Sequence, residues 1–202
     1  MKSLSPLQDT TIARRYGTRT LELKAENKTA LQRELGWPME AKAPIVCFPA
    51  GMTDALGGKL MEQTLPGILS QGIQLLILGK GSSEYGALFT KIAQEQSHRV
   101  AIFENNDETL GKMFAAADIA LFFADPTGTD SLDYALQYGV VPVAPRCKGL
   151  EDYNPVQETG DAFLFDKPTP WHCFAALVRA LETFKFPFDW RTIERHGMEK
   201  KI

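Results

Sequence analysis

The sequence predicts an α/β protein built on one parallel β-sheet, and two observations support this prediction. Six short apolar runs follow one another after residue 43, and each has the length and composition of a strand buried on both faces. Segments with the apolar spacing of amphipathic helices separate most of these runs. Strands that alternate with helices imply βαβ crossovers, so the strands should be parallel and carry helices on both faces. The predicted fold class is therefore α/β, a Rossmann-like doubly wound parallel sheet.

The predicted elements are short and evenly spaced along the chain. The strands are residues 44–51, 73–81, 99–105, 119–125, 140–145 and 162–166. Apolar stripes mark helices at 60–69, 88–93, 110–117 and 132–136. A further helix carries Phe174, Leu177, Val178 and Leu181 in register. Pro187 should break this helix, and a second helical turn or two should follow.

Three segments differ in composition and predict the domain organisation. Residues 1–43 are charged and contain a short helical pattern around 24–35 that ends at Gly36 and Pro38. We interpret them as a connector that leads into the domain. Residues 44–186 form the Rossmann-like domain, and residues 187–202 form a C-terminal helical tail.

Composition excludes several classes of function. The 202 residues are 44% hydrophobic and 23% charged, with a net charge of −3, which predicts one good core and no basic surface for nucleic acid. No apolar run approaches the roughly 18 residues that would span a bilayer, and the first residues contain no apolar segment typical of a signal peptide. Three cysteines at wide spacing, Cys47, Cys147 and Cys173, form neither a disulfide framework nor a zinc pattern. We expect a cytoplasmic protein with reduced thiols and no metal or cofactor.

Three glycine-containing loops are the candidate ligand edge, because ligands bind beyond the carboxyl ends of strands in an open parallel sheet. AGMTDALGGK follows the first strand, GKGSSEYG the second and DPTGTDS the fourth. The edge should therefore be formed by residues 51–58, 79–86 and 125–131.

Several segments together resemble the C-terminal half of bacterial glycogen and starch synthases, which are retaining glucosyltransferases of the GT-B fold. The segment SPLQDTTIARRYGTRTLELKAENKTALQRELGWP resembles the family's interdomain connector, NP-x-x-D…RY…L-x-x-K-x-x-NK-x-x-LQ-x-x-LGLP. Further similarity lies in LLILGKGSSEY, FAAADIALFFADP, YALQYGVVPVAP, GLEDYNP and RHGMEKK. The resemblance implies the half that binds the nucleotide sugar, normally ADP-glucose. We expect either an excised domain or a protein without the N-terminal, acceptor-binding half.

One departure from the family pattern bears directly on activity. The family carries R-L-T-x-Q-K-G in its first βα loop, where the arginine and lysine neutralise the donor diphosphate. Here the matching segment is GMTDALG, with Gly51 at the arginine position and Leu56 at the lysine position. The resemblance therefore implies that transfer is lost, unless Lys59 or Lys80 approaches the phosphates instead. Restoring both cations, by Gly51→Arg with Leu56→Lys, should tighten ADP binding.

The family's two acidic positions are matched by aspartates eight residues apart. Asp125 would bond sugar hydroxyls and Asp133 ribose hydroxyls, although each is one carbon shorter than glutamate. Tyr85 would flank the base. The candidate substrate-binding residues are Gly51, Thr53, Gly79, Lys80, Gly81, Tyr85, Asp125, Thr127, Gly128, Thr129 and Asp133; no catalytic residue is assigned.

A structural interpretation stands beside each of these assignments. Asp125 can be a turn acid, Thr129 a helix cap, and Asp133 and Tyr85 exposed helical residues. The three histidines, His98, His172 and His196, are given no catalytic role. The three tryptophans, Trp37, Trp171 and Trp190, are interpreted as packing anchors, with a glucan-stacking platform as the alternative.

Two functions remain open for the whole chain. The first is the donor half of a glycogen/starch-synthase-like glucosyltransferase, inactive alone, with a nucleotide sugar and an acceptor-binding domain as partners. The alternative is a non-catalytic regulatory or protein-interaction module on the same fold. A free-standing dinucleotide-binding protein is disfavoured, because G-x-G-x-x-G does not follow the first strand.

Overall fold

The computed structural model describes residues 5–200, so the predictions made for residues 1–4 and 201–202 lie outside the described residues. Six strands form one sheet: β1 (Ile45–Phe48), β2 (Gln74–Leu78), β3 (Val100–Phe103), β4 (Ile119–Leu121), β5 (Val141–Pro145) and β6 (Phe163–Phe165). Seven α-helices surround it: α1 (Lys24–Glu34), α2 (Gly58–Ser70), α3 (Ser83–Glu95), α4 (Asp107–Ala116), α5 (Asp130–Gln137), α6 (Pro170–Phe184) and α7 (Pro187–Glu199). Short 3₁₀ helices at Leu21–Leu23 and Asp54–Leu56 precede α1 and α2.

The strand order is β3-β2-β1-β4-β5-β6, and every neighbouring pair is parallel. This confirms the predicted doubly wound sheet. The chain reverses its direction of winding between β1 and β4, which makes the carboxyl edge beside these two strands the switch point of the fold. Each observed strand lies inside a predicted run but is shorter, because the loops begin before the apolar residues end.

Two core layers lie on opposite faces of the sheet, because alternate residues of a strand point to opposite sides. Val46 and Phe48 of β1 belong to the layer covered by α2, α3 and α6. Ile45 and Cys47 belong to the layer that contains residues of α1, α4 and α5. All four side chains are at most 1% exposed, as expected for a strand covered on both faces.

The N-terminal segment packs closely on this second layer. Residues 24–34 are helical as predicted, and α1 packs against α4. Tyr16 is buried and its hydroxyl donates to the carbonyl of Tyr138 at 2.8 Å. The buried Lys28 Nζ lies 2.7 Å from Asp118 Oδ2. The described part of the predicted connector therefore contributes to the domain's own core; the division into connector, domain and tail stays a prediction.

Two expectations for the C-terminal region need correction. The helix after Pro187 runs to Glu199 instead of ending after a turn or two, because Trp190, Ile193 and Gly197 bury one continuous face. Trp171 is 75% exposed at the start of α6, so its interpretation as a packing anchor is wrong. The same interpretation is confirmed for Trp37 and Trp190, which are 5% and 4% exposed.

Membrane insertion finds no support in the helices. Within residues 5–200, no helix combines the length and the apolar character needed to cross a bilayer.

Candidate functional site

The loops that follow β1, β2 and β4 meet at the carboxyl edge of the sheet. A Cβ atom placed on Gly57 would lie 2.6 Å from the carbonyl oxygen of Phe123, so the loop after β1 touches the end of β4. Ser131 Oγ donates to the carbonyl of Pro49 at 3.1 Å and joins the start of α5 to the same loop. The structure thus brings the predicted ligand loops together at the switch point.

Backbone hydrogen bonds join the first two loops. The amide of Met52 donates to the carbonyl of Lys80 at 2.8 Å, and the amide of Ser82 donates to the carbonyl of Met52 at 3.0 Å. Gly81 has a φ of +134°, and a Cβ there would collide with the Met52 carbonyl. Gly79 also approaches a carbonyl closely, that of Phe103. Both glycines therefore permit close loop packing, and the Lys80 side chain is exposed.

Gly51 adopts a backbone conformation that an arginine would not tolerate. Its φ is +78°, and a Cβ would lie 2.5 Å from the carbonyl oxygen of Lys80. A side chain here would be strained by its own backbone and would push the second loop away. The expected restoration by Gly51→Arg therefore conflicts with the loop geometry. Leu56 occupies the position of the other missing cation. It is half-buried and does not have a positive φ.

The side chain of Tyr85 covers the start of α2, which the sequence does not predict. The Tyr85 hydroxyl donates to Asp54 Oδ1 at 2.6 Å, and its ring lies directly against Gly58, the first residue of α2. Tyr85 is only 3% exposed, so its interpretation as an exposed helical residue is wrong. The hydrogen bond to Asp54, followed by burial, raises the pKa of Tyr85 to about 12. Thr53 accepts from the amide of Leu56 at 3.3 Å and caps the 3₁₀ turn.

Asp125 organises the loop after β4. Its Oδ1 accepts hydrogen bonds from the amide of Thr127 at 2.9 Å and from the Thr127 hydroxyl at 2.5 Å. These two bonds lower the pKa of Asp125, so the carboxylate is charged at neutral pH. Thr129 caps α5 by accepting from the amide of Leu132 at 3.3 Å. Asp133 lies in the first turn of α5 and is half-buried.

Gly128 is the open part of this loop. Its φ is +73°, and a Cβ placed on it would have no atom within 4 Å. The loop after β5 also reaches the site, because the Thr127 hydroxyl donates to the carbonyl of Lys148 at 3.3 Å. The candidate residues named from the sequence do not include Asp54 and Ser131, although both lie in the predicted loops. Lys148 lies outside those loops and was missed, although it follows the fifth predicted strand.

The site lacks the two cations expected from the resemblance, but its loops carry the exposed lysines Lys59, Lys80 and Lys148. Lys59 and Lys80 are exposed, and neither forms an ion pair within residues 5–200. Asp54 lies in the segment where the resemblance expects a neutralising loop. Among the described residues, no group of three or more His, Cys, Asp or Glu side chains could hold a metal ion.

Solved structures show which fold this chain shares. The catalytic domain of Starch Synthase IV from Arabidopsis thaliana, bound to ADP and acarbose, superposes with a TM-score of 0.82 at 23% identity over 98% of this chain and 43% of that chain. The C-terminal domain of a glycosyl transferase group 1 family protein from Francisella tularensis gives a TM-score of 0.61 at 12% identity, over 91% of this chain and 95% of that one. The chain has the fold of the Rossmann-like, C-terminal half of a GT-B glycosyltransferase.

Curated relatives are more similar in sequence, although no family model matches the chain. The glycogen synthase of Gloeobacter violaceus is 33% identical over 209 residues, which cover 100% of this chain and 45% of the relative. Glycogen synthase 1 of Synechocystis sp. is 32% identical over 96% of this chain and 42% of the relative. The chain is thus homologous to the C-terminal half of glycogen synthases, and it spans less than half the length of these relatives.

Proposed function

We propose that this chain is the donor half of a glucosyltransferase like the glycogen and starch synthases, and that it does not transfer glucose by itself. Homology to glycogen synthases and a fold shared with a starch synthase structure that contains ADP support the first part. The replacement of the two expected cations by Gly51 and Leu56 is the single observation that carries the second part.

The missing cations matter because glucosyl transfer releases a nucleoside diphosphate. Fixed positive groups that stabilise the leaving group are often the largest single term in catalysis, and removing one such donor costs on the order of 10² to 10³ in rate. Two are absent from the loop after β1, and Asp54 adds a negative charge to the same loop. The Gly51 backbone conformation also disfavours any long side chain there.

A weakened pocket for a nucleotide sugar is compatible with these losses. Gly128 leaves open space beside the cap of α5, where backbone N–H groups at a helix start favour anions. Asp125 is charged, so it can accept hydrogen bonds from sugar hydroxyls. We therefore expect a Kd for ADP in the millimolar range or weaker, because the protein holds the phosphates poorly.

A transfer assay tests the proposal. The isolated chain is incubated with glycogen and radiolabelled ADP-glucose or UDP-glucose, with boiled protein as the blank and the Gloeobacter glycogen synthase as the positive control. We expect incorporation equal to the blank. A rate well above the blank would overturn the assignment as inactive.

The alternative is a non-catalytic regulatory or protein-interaction module. Two observations favour it: the hydrogen bond between Tyr85 and Asp54, and the backbone hydrogen bonds between the first two loops. Both pair hydrogen-bonding groups of these loops within the protein, without a ligand. Mixing the chain with the isolated acceptor half of a homologous glycogen synthase separates the two functions. Binding of ADP-glucose that is tighter in the mixture than in the chain alone supports a donor half, and association without such binding supports the module.

A further inference from the structure

A cavity lies at the amino edge of the sheet, opposite the candidate site. Its volume is about 440 Å³. It is enclosed by α1 and the turn before it, by the segment preceding β1, by Asp118 at the start of β4, and by the junction of α6 and α7. The loops discussed above supply none of its lining, so the cavity is separate from the predicted nucleotide-sugar site.

The charges around this cavity are predominantly positive. Five cationic and three acidic side chains line it. Two of the cations are buried and already paired: Lys24 Nζ donates to the carbonyl of Gly139 at 2.5 Å, and Lys28 Nζ lies 2.7 Å from Asp118. Among the exposed cations of the lining, Lys42 and Arg191 form no ion pair within residues 5–200.

The wall of the cavity is partly aromatic. Trp190 lines the cavity, is 4% exposed, and its Nε1 has no hydrogen-bond acceptor among the described residues. Its ring is held in place by Phe163, stacked at 6.3 Å, and by Phe184, edge-on at 5.2 Å. A buried indole N–H normally finds an acceptor, so the unpartnered Nε1 of Trp190 is an unusual feature of this region.

We propose that this cavity binds a small amphiphilic anion: an apolar body of about the size of one aromatic ring that carries a phosphate or carboxylate group. The anionic oxygens lie near Lys42 and Arg191, and the apolar body packs against Trp190 and Phe184. Concave sites with mainly apolar walls and a few placed polar groups are typical small-molecule sites.

The three tryptophans provide a direct test by nuclear magnetic resonance. Phenyl phosphate is titrated into the ¹⁵N-labelled chain, and the three indole N–H resonances are followed, with Trp190→Phe used for assignment. The resonance of Trp190 should shift and saturate. Trp37, whose Nε1 already donates to the Ser97 carbonyl at 2.9 Å, and the exposed Trp171 should not shift.

Variants and simpler probes identify what the cavity recognises. The double variant Lys42→Ala with Arg191→Ala should weaken phenyl phosphate binding about tenfold, whereas the exposed control Lys167→Ala should leave it unchanged. Benzoate should shift the same Trp190 resonance. Phenol and inorganic phosphate should each bind more weakly than phenyl phosphate.

Three results would overturn the proposal. They are no saturable shift of the Trp190 resonance up to about 10 mM phenyl phosphate, equal binding by the double variant and the Lys167 control, or binding of inorganic phosphate as tight as that of phenyl phosphate. All probes are read from the folded chain without reference to transferase activity, so the outcome is independent of the proposed function.

Discussion

Replacing Lys28 with alanine should destabilise the whole domain, although this residue lies before the first strand. Lys28 Nζ is 2.7 Å from Asp118 Oδ2, and the two side chains are only 4% and 10% exposed. The same oxygen accepts from the amide of Ile45 at 2.7 Å, which ties α1 to the amino ends of β1 and β4. Removing the lysine leaves a buried carboxylate without its cation, a change that typically costs about 3–5 kcal/mol.

Thermal unfolding measures this cost directly. For a protein of this size each kcal/mol moves Tm by roughly 2–4 °C, so Lys28→Ala should lower Tm by about 6–20 °C. The control is Lys112→Ala, which removes a partly exposed cation 3.1 Å from Glu34 and 3.2 Å from Glu108, two carboxylates that are more than half exposed. Surface pairs contribute at most about 1 kcal/mol, so the control should shift Tm by only a few degrees.

A double variant separates the charge from the packing. Lys28→Met with Asp118→Asn removes both charges and keeps most of the volume, and it should recover a large part of the stability lost in Lys28→Ala. If Lys28→Ala melts within a few degrees of the Lys112→Ala control, the ion pair does not hold the N-terminal segment on the sheet and the reasoning is refuted.

Two further predictions concern Glu194 and Leu56. Burial raises the pKa of Glu194 to about 7, with Lys24 opposing the shift, so the free energy of unfolding should fall as pH rises from about 4.5 to 7. Glu194→Gln should remove this dependence on pH, which is worth up to about 3 kcal/mol in the free energy of unfolding, measured with urea at pH 5 and 8. If the free energy of unfolding changes equally with pH in both proteins, the pKa of Glu194 is not raised. Leu56→Lys places a cation in the loop after β1 without straining Gly51, so it should tighten ADP binding about tenfold by calorimetry. Leu56→Gln is the neutral control, and equal affinities for the two variants would show that the position does not face the phosphates.

The sheet and most helices could be predicted from the sequence because their signals are local. Continuous apolar runs identify strands buried on both faces, and β1 and β2 lie where such runs predict them. The glycine loops after these strands could be assigned to one edge because parallel strands share a direction. Strand order is not a local property, however, and only the structure places β1 beside β4 at the switch point.

The N-terminal segment was harder to interpret because its buried residues are polar. α1 buries Lys24, Asn27, Lys28 and Gln32 alongside Leu31. Each of these polar side chains has a partner distant in sequence, such as Asp118 for Lys28 and Gln74 for Gln32. A charged helix normally predicts a solvated surface, so the sequence suggests a connector where the structure has a packed element.

The loops of the candidate site could be assigned to one edge of the sheet, but their contacts could not be predicted. The hydrogen bond between Tyr85 and Asp54 joins residues 31 positions apart, and no spacing rule indicates it. The positive φ of Gly51 likewise depends on how closely the loop after β2 approaches. These two contacts decide which substitutions the loop can accept.

Titration of ADP into the unaltered chain tests the central claim most directly. Two charge-assisted hydrogen bonds to the diphosphate, each worth roughly 1.5–3 kcal/mol, are missing with the cations at positions 51 and 56. Their absence weakens binding by about two to four decades at 1.4 kcal/mol per decade. Calorimetry at low ionic strength should therefore give a Kd in the millimolar range or weaker. A micromolar Kd would contradict the account and would show that another cation, with Lys59 and Lys80 the first to replace by alanine, holds the phosphates.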